Sequence, residues 1–595
     1  MSKPASQSAP AAHSASDRLS GPEIFFLLAI WLAFTVLNYY LPRNNAYLLY
    51  GDGVDFAGCS WKMFNALCVY NFPDFFWSHT PLYPPLVMQV SALQSFFFLP
   101  DSFNFTLTQF PFWGILIFSL YLLGKRLFSA LTGYLGVFFF LTLPLTIEWT
   151  YKYCLDIAAA AMVALSFYLL LRSDNFRHRG YSLWFGVSFA LALLTKTLAA
   201  YLLLPVLAVM FLEKYFSFLK NNRLRLLGLL FFGGMWYLVI KIAYRLGDWD
   251  RKGQSAFWLF LLLTVLEGLA FYGGFRQFFK WAKKAGFADP ERYSDMLNLL
   301  MALSLSYILS AWFYLNPDFC ILSREVFVCG GGGWEGHPWP FLDFYPRMLW
   351  ENGLRAGYLP FLLIGLTVFV ITAWKKPEQR FLLLTLVLSA LMLLLLPIKA
   401  ERYPLPWLAL ASPVAVFWIE YLKELKILPL AALLFIGLIY AFCSWPPVIN
   451  AFKDNARWFD FLIQGNPPLD GISQEVPLTG EQLRPFLAPL PKRGEKVLLF
   501  IHPEFSPGNM RILAPVFFSH LQLDFSEQPE MADYQYVIYS REAKETEREV
   551  RNKMTVRLTW LKGQPGCRWQ NLSVLPVPQS GYRLFLARVL PLRAK

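Results

Sequence analysis

Tyr50-Gly51-Asp52-Gly53-Val54-Asp55-Phe56 follows closely on the first apolar run of the chain, Ile24 to Leu41, and further on comes Thr80-Pro81-Leu82-Tyr83-Pro84-Pro85-Leu86. The apolar run is long enough to span a bilayer, which takes about 20 residues. Two carboxylates just beyond the end of a membrane helix are costly unless solvated or working. The prolines then lock a rigid turn, expected on the same side of the membrane.

The composition around this stretch is that of a membrane protein. The 595 residues are 56% hydrophobic and 18% aromatic, only 16% are charged, and mean hydropathy is +0.41. A soluble domain carries about a quarter charged residues. The net charge of +13 fits basic loops on the cytoplasmic side. It does not point to nucleic acid, because no basic patch with interleaved exposed aromatics stands out. The seven cysteines show no CxxC or Cys/His metal spacing. Cys59/Cys68 and Cys320/Cys329 fall in expected outer loops, where a disulfide or separate thiols would both be compatible.

Hydropathy predicts a polytopic α-helical membrane protein of about thirteen spans. They lie near 23–41, 106–123, 130–147, 155–171, 182–195, 198–212, 224–243, 255–272, 297–315, 357–374, 380–397, 404–419 and 427–443. The stretch 182–212 around Lys196 reads either as one long helix or as two short ones. Lysine and arginine gather in alternate connections (Lys125/Arg126, Arg172 to Arg179, Lys214 to Arg225, Arg276 to Arg292, Lys375 to Arg380, Lys423/Lys426), which places the N-terminus in the cytoplasm. The expected organisation is a disordered segment 1–20, a transmembrane module 21–445 with long outer loops 42–105 and 316–356, and a small extracytoplasmic α/β domain 446–595. Within that last domain strands are expected at Val497–His502, Tyr534–Tyr539, Thr555–Leu561 and Arg583–Leu590, with a helix at Arg541–Lys553. It carries no GxGxxG or GxxxxGK[ST] phosphate loop.

Loop 42–105 is too long for a connector, and its half-apolar stretches Phe56–Val69, Phe72–Trp77 and Val87–Leu99 suit helices lying in the interface. Asp52 and Asp55 sit where this loop begins. Asp156, in Tyr153-Cys154-Leu155-Asp156-Ile157, opens the fourth span at the same face, with Glu148 and Lys152 nearby. Either Asp52 or Asp156 taken alone reads equally well as a helix cap. Together they suit one site. Lys196, in Leu194-Thr195-Lys196-Thr197, and Arg402-Tyr403, after Lys399-Ala400-Glu401, are among the few outer cations. They suit either snorkelling to headgroups or a clamp on a phosphate. His79, one of six histidines, stands beside the proline turn as a further ligand for substrate or metal. In the loop 316–356, Trp334, Glu335, His337, Trp339, Asp343 and Arg347 suit stacking and hydrogen bonding to sugars, or an ordinary aromatic belt.

Taken in order, these motifs resemble the GT-C superfamily of membrane glycosyltransferases. They are an Asp-rich turn after span one, an amphipathic first loop ending in Pro-Pro, Leu155-Asp156 at span four, Leu193-Leu194-Thr195-Lys196 at span five and Arg402-Tyr403-Pro404-Leu405-Pro406. The likeness is to bacterial relatives of protein O-mannosyltransferases and of the lipid A aminoarabinose transferase, and it covers about 20–445 plus the tail. It implies a general base at Asp52, with Asp55 the second choice, and a second acid at Asp156. Tyr83, Tyr403 and His79 would line the substrate site. A divalent metal, if present, would sit on Asp52, Asp156 and His79. The family's Glu-Lys-Pro-Pro turn is here Leu82-Tyr83-Pro84-Pro85. That change leaves phosphate binding to Lys196 or Arg402.

The resemblance implies transfer of a sugar from a polyprenyl-phosphate donor to a glycan, lipid or protein acceptor at the outer face, with inversion. It places the protein in the bacterial cytoplasmic membrane. The rival readings are a lipid-linked oligosaccharide transporter and an O-antigen ligase or polymerase. A transporter tends to show inverted repeats and acids at midplane. Neither is apparent here.

Overall fold

The structure is a computed structural model, and it describes residues 19–45, 52–77, 83–97, 107–150, 153–219, 254–290, 292–315, 344–396, 400, 402–443, 496–500, 522–524, 536–542, 567–576 and 582–591. The helices are α1 Gly21–Asn45, α2 Asp52–Cys68, α3 Phe72–Trp77, α4 Leu86–Gln94, α5 Phe110–Leu127, α6 Ala130–Thr142, α7 Pro144–Thr150, α8 Asp156–Arg172, α9 Arg179–Thr195, α10 Leu198–Phe218, α11 Gln254–Lys284 and α12 Tyr293–Tyr314. They continue with α13 Phe344–Met348, a π-helical turn Leu349–Gly353, α14 Arg355–Thr372, α15 Pro377–Leu395, α16 Leu405–Val416 and α17 Ile427–Cys443.

Among the described residues six helical stretches are long and apolar enough to cross a membrane, or up to seven if the bent pair α6 and α7 is one span. The chain is an integral membrane protein. A helix stands at each expected span except 224–243, which lies outside the described residues. Several, such as α8 and α9 at 17 residues, are shorter than a full crossing by the usual measure. The ambiguous stretch around Lys196 is two helices, because the chain extends at Lys196 (φ −160°, ψ 135°) between α9 and α10.

The core is organised on α8. Its run Asp156-Ile157-Ala158-Ala159-Ala160-Ala161 is buried residue by residue, and it packs against α5, α9 and α16. Small side chains let backbones approach closely where the hydrophobic effect gives no preference between helix and lipid. The same device closes α5 on α6, where a Cβ on Gly124 would come within 2.5 Å of the Gly133 Cα. Pro144 breaks the line from α6 to α7 by 63°, since a proline offers no N–H and clashes with the preceding turn.

The three expected interfacial stretches of the first loop form α2, α3 and α4, and α2 packs on both of the others. Phe76 meets Trp312 at 5.5 Å between ring centroids, so they lie against the end of α12. α2 stops in a Schellman turn, with the Asn71 N–H donating to the Ala66 carbonyl at 2.8 Å and Tyr70 at φ 55°. Cys59 and Cys68 lie on this one helix, nine residues apart by position. That separation is too far along a rigid helix for a disulfide.

After residue 495 the described residues form one five-stranded sheet, in the order β2-β1-β3-β5-β4. Its strands are β1 Lys496–Phe500, β2 Gln522–Asp524, β3 Tyr536–Glu542, β4 Cys567–Pro576 and β5 Tyr582–Pro591. β1 pairs in parallel with β2 and β3, while β5 runs antiparallel to both β3 and β4. Strands β1, β3 and β5 coincide with expected runs. β2 and β4 were not read from the sequence. Thr555–Leu561 lies outside the described residues, as does Arg541–Lys553 beyond its first two residues, which belong to β3.

Candidate active site

Asp156 is the first residue of α8, and Leu155 occupies the cap position without a capping side chain. Its carboxylate is therefore not spent on the helix end. It is 1% exposed, and both oxygens face cations. Lys196 Nζ donates to Oδ1 at 2.5 Å, and Arg402 Nε stands 3.3 Å from Oδ2. The positive end of the α8 dipole adds a further favourable field at this carboxylate. Two bases on one buried acid leave the cluster with a net positive charge.

Each cation is held on an aromatic ring as well. Lys196 Nζ lies 4.5 Å from the Tyr403 centroid, and the Arg402 guanidinium 5.0 Å from that of Trp149. Such contacts fix a cation without neutralising it. Lys196 reaches the site because the chain breaks between α9 and α10. Arg402 and Tyr403 reach it from the turn before α16, and Trp149 comes on the arm α7 that Pro144 redirects. Snorkelling, one reading of Lys196 from sequence, does not describe a side chain only 11% exposed. Burial pushes the Lys196 ammonium pKa down, while the Asp156 charge pulls it back up.

A second group of side chains joins this cluster to the first loop. Phe56 on α2 packs edge-on against Tyr83 at 4.9 Å and Tyr153 at 6.2 Å. The Tyr153 hydroxyl shares a 3.0 Å hydrogen bond with Ser60 on the same helix, and burial pushes the phenol up to about 12. Gln109 Nε2 donates to the Cys154 carbonyl at 3.4 Å. Burial, with the Asp156 charge adding to it, pushes the Cys154 thiol up to about 11, so it stays a thiol at neutral pH. Tyr345 is 4% exposed, and burial pushes its phenol above the ordinary range.

The structure thus brings Asp156, Lys196, Arg402 and Tyr403 together. It places the Tyr83 ring on Phe56, which in turn meets Tyr153. Asp52 is the first residue of α2 and Asp55 lies within its first turn. Their side chains lie outside what is described, as do His79, Lys152, Lys399, Glu401 and residues 316–343, with Trp334, Glu335, His337, Trp339 and Asp343. Among the described residues no three metal-ligating side chains stand together. Asp156, the one fully described member of the expected metal set, already faces two cations, a poor setting for a third.

Sequence reasoning missed Trp149, Gln109, Tyr153 and Tyr345. It also missed Arg355, which is 2% exposed, opens α14 at φ 53° and lies in the field of Glu148. An arginine at the end of an expected outer loop, just before an apolar run, was the available signal for it.

Over residues 83–236 the sequence matches the family described as dolichyl-phosphate-mannose-protein mannosyltransferase. That stretch includes Asp156 and Lys196 but neither Asp52 nor Arg402. Comparison with curated proteins finds no match. Among solved structures, ArnT from Cupriavidus metallidurans bound to undecaprenyl phosphate shares the fold with TM-score 0.52 at 13% identity, over 96% of this chain and 98% of that one. The apo state of the same protein gives 0.49 at 13% identity, covering 94% and 97%. The Archaeoglobus fulgidus oligosaccharyltransferase gives 0.42 at 12% identity, covering 86% and 69%. With the family match running through Asp156 and Lys196 and an ArnT-like fold over nearly its whole length, the chain resembles the GT-C superfamily of membrane glycosyltransferases.

Proposed function

We propose that this protein is a glycosyltransferase that moves a sugar from a polyprenyl-phosphate donor to a glycan, lipid or protein acceptor. The reaction takes place at the membrane face on which Asp156 lies. That face is extracytoplasmic in the thirteen-span topology with a cytoplasmic N-terminus, which also puts the sheet after residue 495 outside. The observation that carries the reading is the pair of cations on one buried carboxylate. Asp156 holds Lys196 and Arg402 side by side, and the surplus positive charge suits a phosphate.

The chemistry follows from this placement. The acceptor oxygen attacks the anomeric carbon, the bond from that carbon to the phosphate oxygen breaks, and the bonding pair leaves with the phosphate. Charge growing on the leaving oxygen is met by Lys196 and the guanidinium fork of Arg402, which are fixed before the reaction begins. Asp52 takes the proton of the acceptor hydroxyl. Its support is positional. It lies one helical turn before Phe56, and Phe56 packs on Tyr153, three residues ahead of Asp156. A single displacement inverts the anomeric centre.

The test is a transfer assay on the full-length protein in vesicles, with a labelled polyprenyl-phosphate sugar and envelope glycolipids or peptides as acceptors. Label should pass to an acceptor with the wild type and fall steeply with Asp52→Asn. Label that crosses the bilayer still attached to its lipid would show a carrier instead.

A further inference from the structure

Helix α11 is unlike its neighbours in length and in the distribution of its charge. At 31 residues it is about 46 Å long, against roughly 30 Å of hydrocarbon. Its cations all lie in the last third: Arg276, Lys280, Lys283 and Lys284. Gly273-Gly274 separates that third from the apolar part. No heavy atom lies within 4 Å of where a Cβ would stand on either glycine, so packing is not the reason for them.

Arg276, Lys280 and Lys284 recur every fourth residue and so share one face. All three are exposed. Like charges at this spacing repel one another along a helix. The acids on the surrounding elements are engaged elsewhere or lie beside another base. Asp295 pairs with Lys214 at 3.6 Å, Asp289 with Arg292 at 3.4 Å, and Glu213 neighbours Lys214. Among the described residues none pairs with the three. Lys283 lies instead over the Tyr293 ring at 4.8 Å.

The other side of this segment is fixed to the protein. Phe275, Phe279 and Ala282 are buried, with Phe279 at 5.1 Å from Phe218. Just beyond the helix the Asp289 N–H donates to the Phe218 carbonyl at 2.9 Å. The cationic face is therefore turned outward, beside the half-exposed indole of Trp281, a residue favoured at headgroup level. Phe218 ends α10, whose other end follows Lys196. The basic face thus lies at the membrane surface opposite the Asp156 site.

We propose that this face of α11 binds the headgroups of anionic phospholipids in the leaflet opposite the Asp156 site. Charge complementarity and position choose the occupant: exposed cations that pair with none of the described residues, with an aromatic at the edge of a bilayer, attract anionic lipid. The inference does not depend on the proposed reaction.

The experiment compares full-length protein reconstituted in phosphatidylcholine with and without phosphatidylglycerol, reading the thermal midpoint and the phosphatidylglycerol retained after delipidation. Phosphatidylglycerol should raise the wild-type midpoint, and high salt should reduce the rise. Retention should weaken about fivefold for each cation removed, so that Arg276→Gln/Lys280→Gln/Lys284→Gln loses most of the response. The charge-preserving Arg276→Lys/Lys280→Arg/Lys284→Arg should keep it, which separates charge from folding. Should the neutral variant not fold, a photoactivatable phosphatidylglycerol on the wild type gives the answer, with crosslinks expected within residues 273–287. An undiminished response in the neutral variant, an equal response to phosphatidylcholine, or crosslinks elsewhere would overturn the assignment.

Discussion

Lys196 and Asp156 are forty positions apart in the chain and 2.5 Å apart in space, the Lys196 ammonium donating to a carboxylate that is almost wholly buried. Removing one partner of such a pair leaves an uncompensated charge and costs about 3–5 kcal/mol, whereas removing both with apolar residues of similar size is often close to neutral. Asp156→Ala should therefore lower the thermal midpoint sharply, because it leaves Lys196 and Arg402 facing each other. Asp156→Leu/Lys196→Met should recover part of the loss, since it removes the more buried of the two cations and leaves Arg402, which is 23% exposed against 11% for Lys196. Additive losses in the double variant would show that the two do not act as a pair.

Trp149 holds the Arg402 guanidinium by its face. A cation–π contact of this kind is worth about 0.5–2 kcal/mol, or roughly two- to thirtyfold in binding. Trp149→Leu should weaken the affinity for polyprenyl phosphate by that factor, and Trp149→Phe by less. Arg402→Lys should weaken it too, since lysine lacks both the fork and the stacking plane. Unchanged affinity in Trp149→Leu would remove the indole from the account.

Because burial depresses the Lys196 pKa, its positive charge is present at low pH and lost at a lower pH than for an ordinary lysine. Phosphate affinity should thus fall on the alkaline side, with a midpoint below the usual lysine range. Lys196→Arg should move that limb to higher pH, because arginine stays charged. Titration of binding against pH for the two proteins checks the sign.

Phe56 joins the first loop to the Asp156 loop through Tyr153. Phe56→Leu keeps most of the apolar volume but loses the edge-on ring contacts, a cost of about 0.5–1.5 kcal/mol. It should lower the transfer rate while leaving polyprenyl-phosphate affinity near wild type, since the cations do not depend on it. An equal fall in both quantities would place Phe56 in general packing.

The helices were legible because each buried side needs an apolar run of fixed length, and the basic connections mark the breaks; the bend at Pro144, inside the expected span 130–147, was not read. Asp156, Lys196 and Arg402 were legible for a related reason: a charge in an apolar setting is costly and stands out. What they pair with was not. Lys196 read equally as a snorkelling side chain, and only the meeting of α8 with the α9–α10 break makes it an ion-pair partner. Trp149 was hidden among 21 tryptophans, in a membrane protein where an interfacial indole is ordinary. Strands β2 and β4 escaped because Gln522–Asp524 is too short to show a period and Cys567–Pro576 bears polar residues with a bulge at Asn571/Ser573, which breaks the alternation.

The most direct measurement is equilibrium binding of polyprenyl phosphate to the purified full-length protein, compared with Arg402→Ala and Lys196→Met. Hydrogen bonds to charged groups contribute about 1.5–3 kcal/mol, so each substitution should weaken binding by roughly ten- to a hundredfold, in variants shown to be folded by their thermal transitions. Wild-type affinity in both would contradict the assignment of this cluster as the phosphate site.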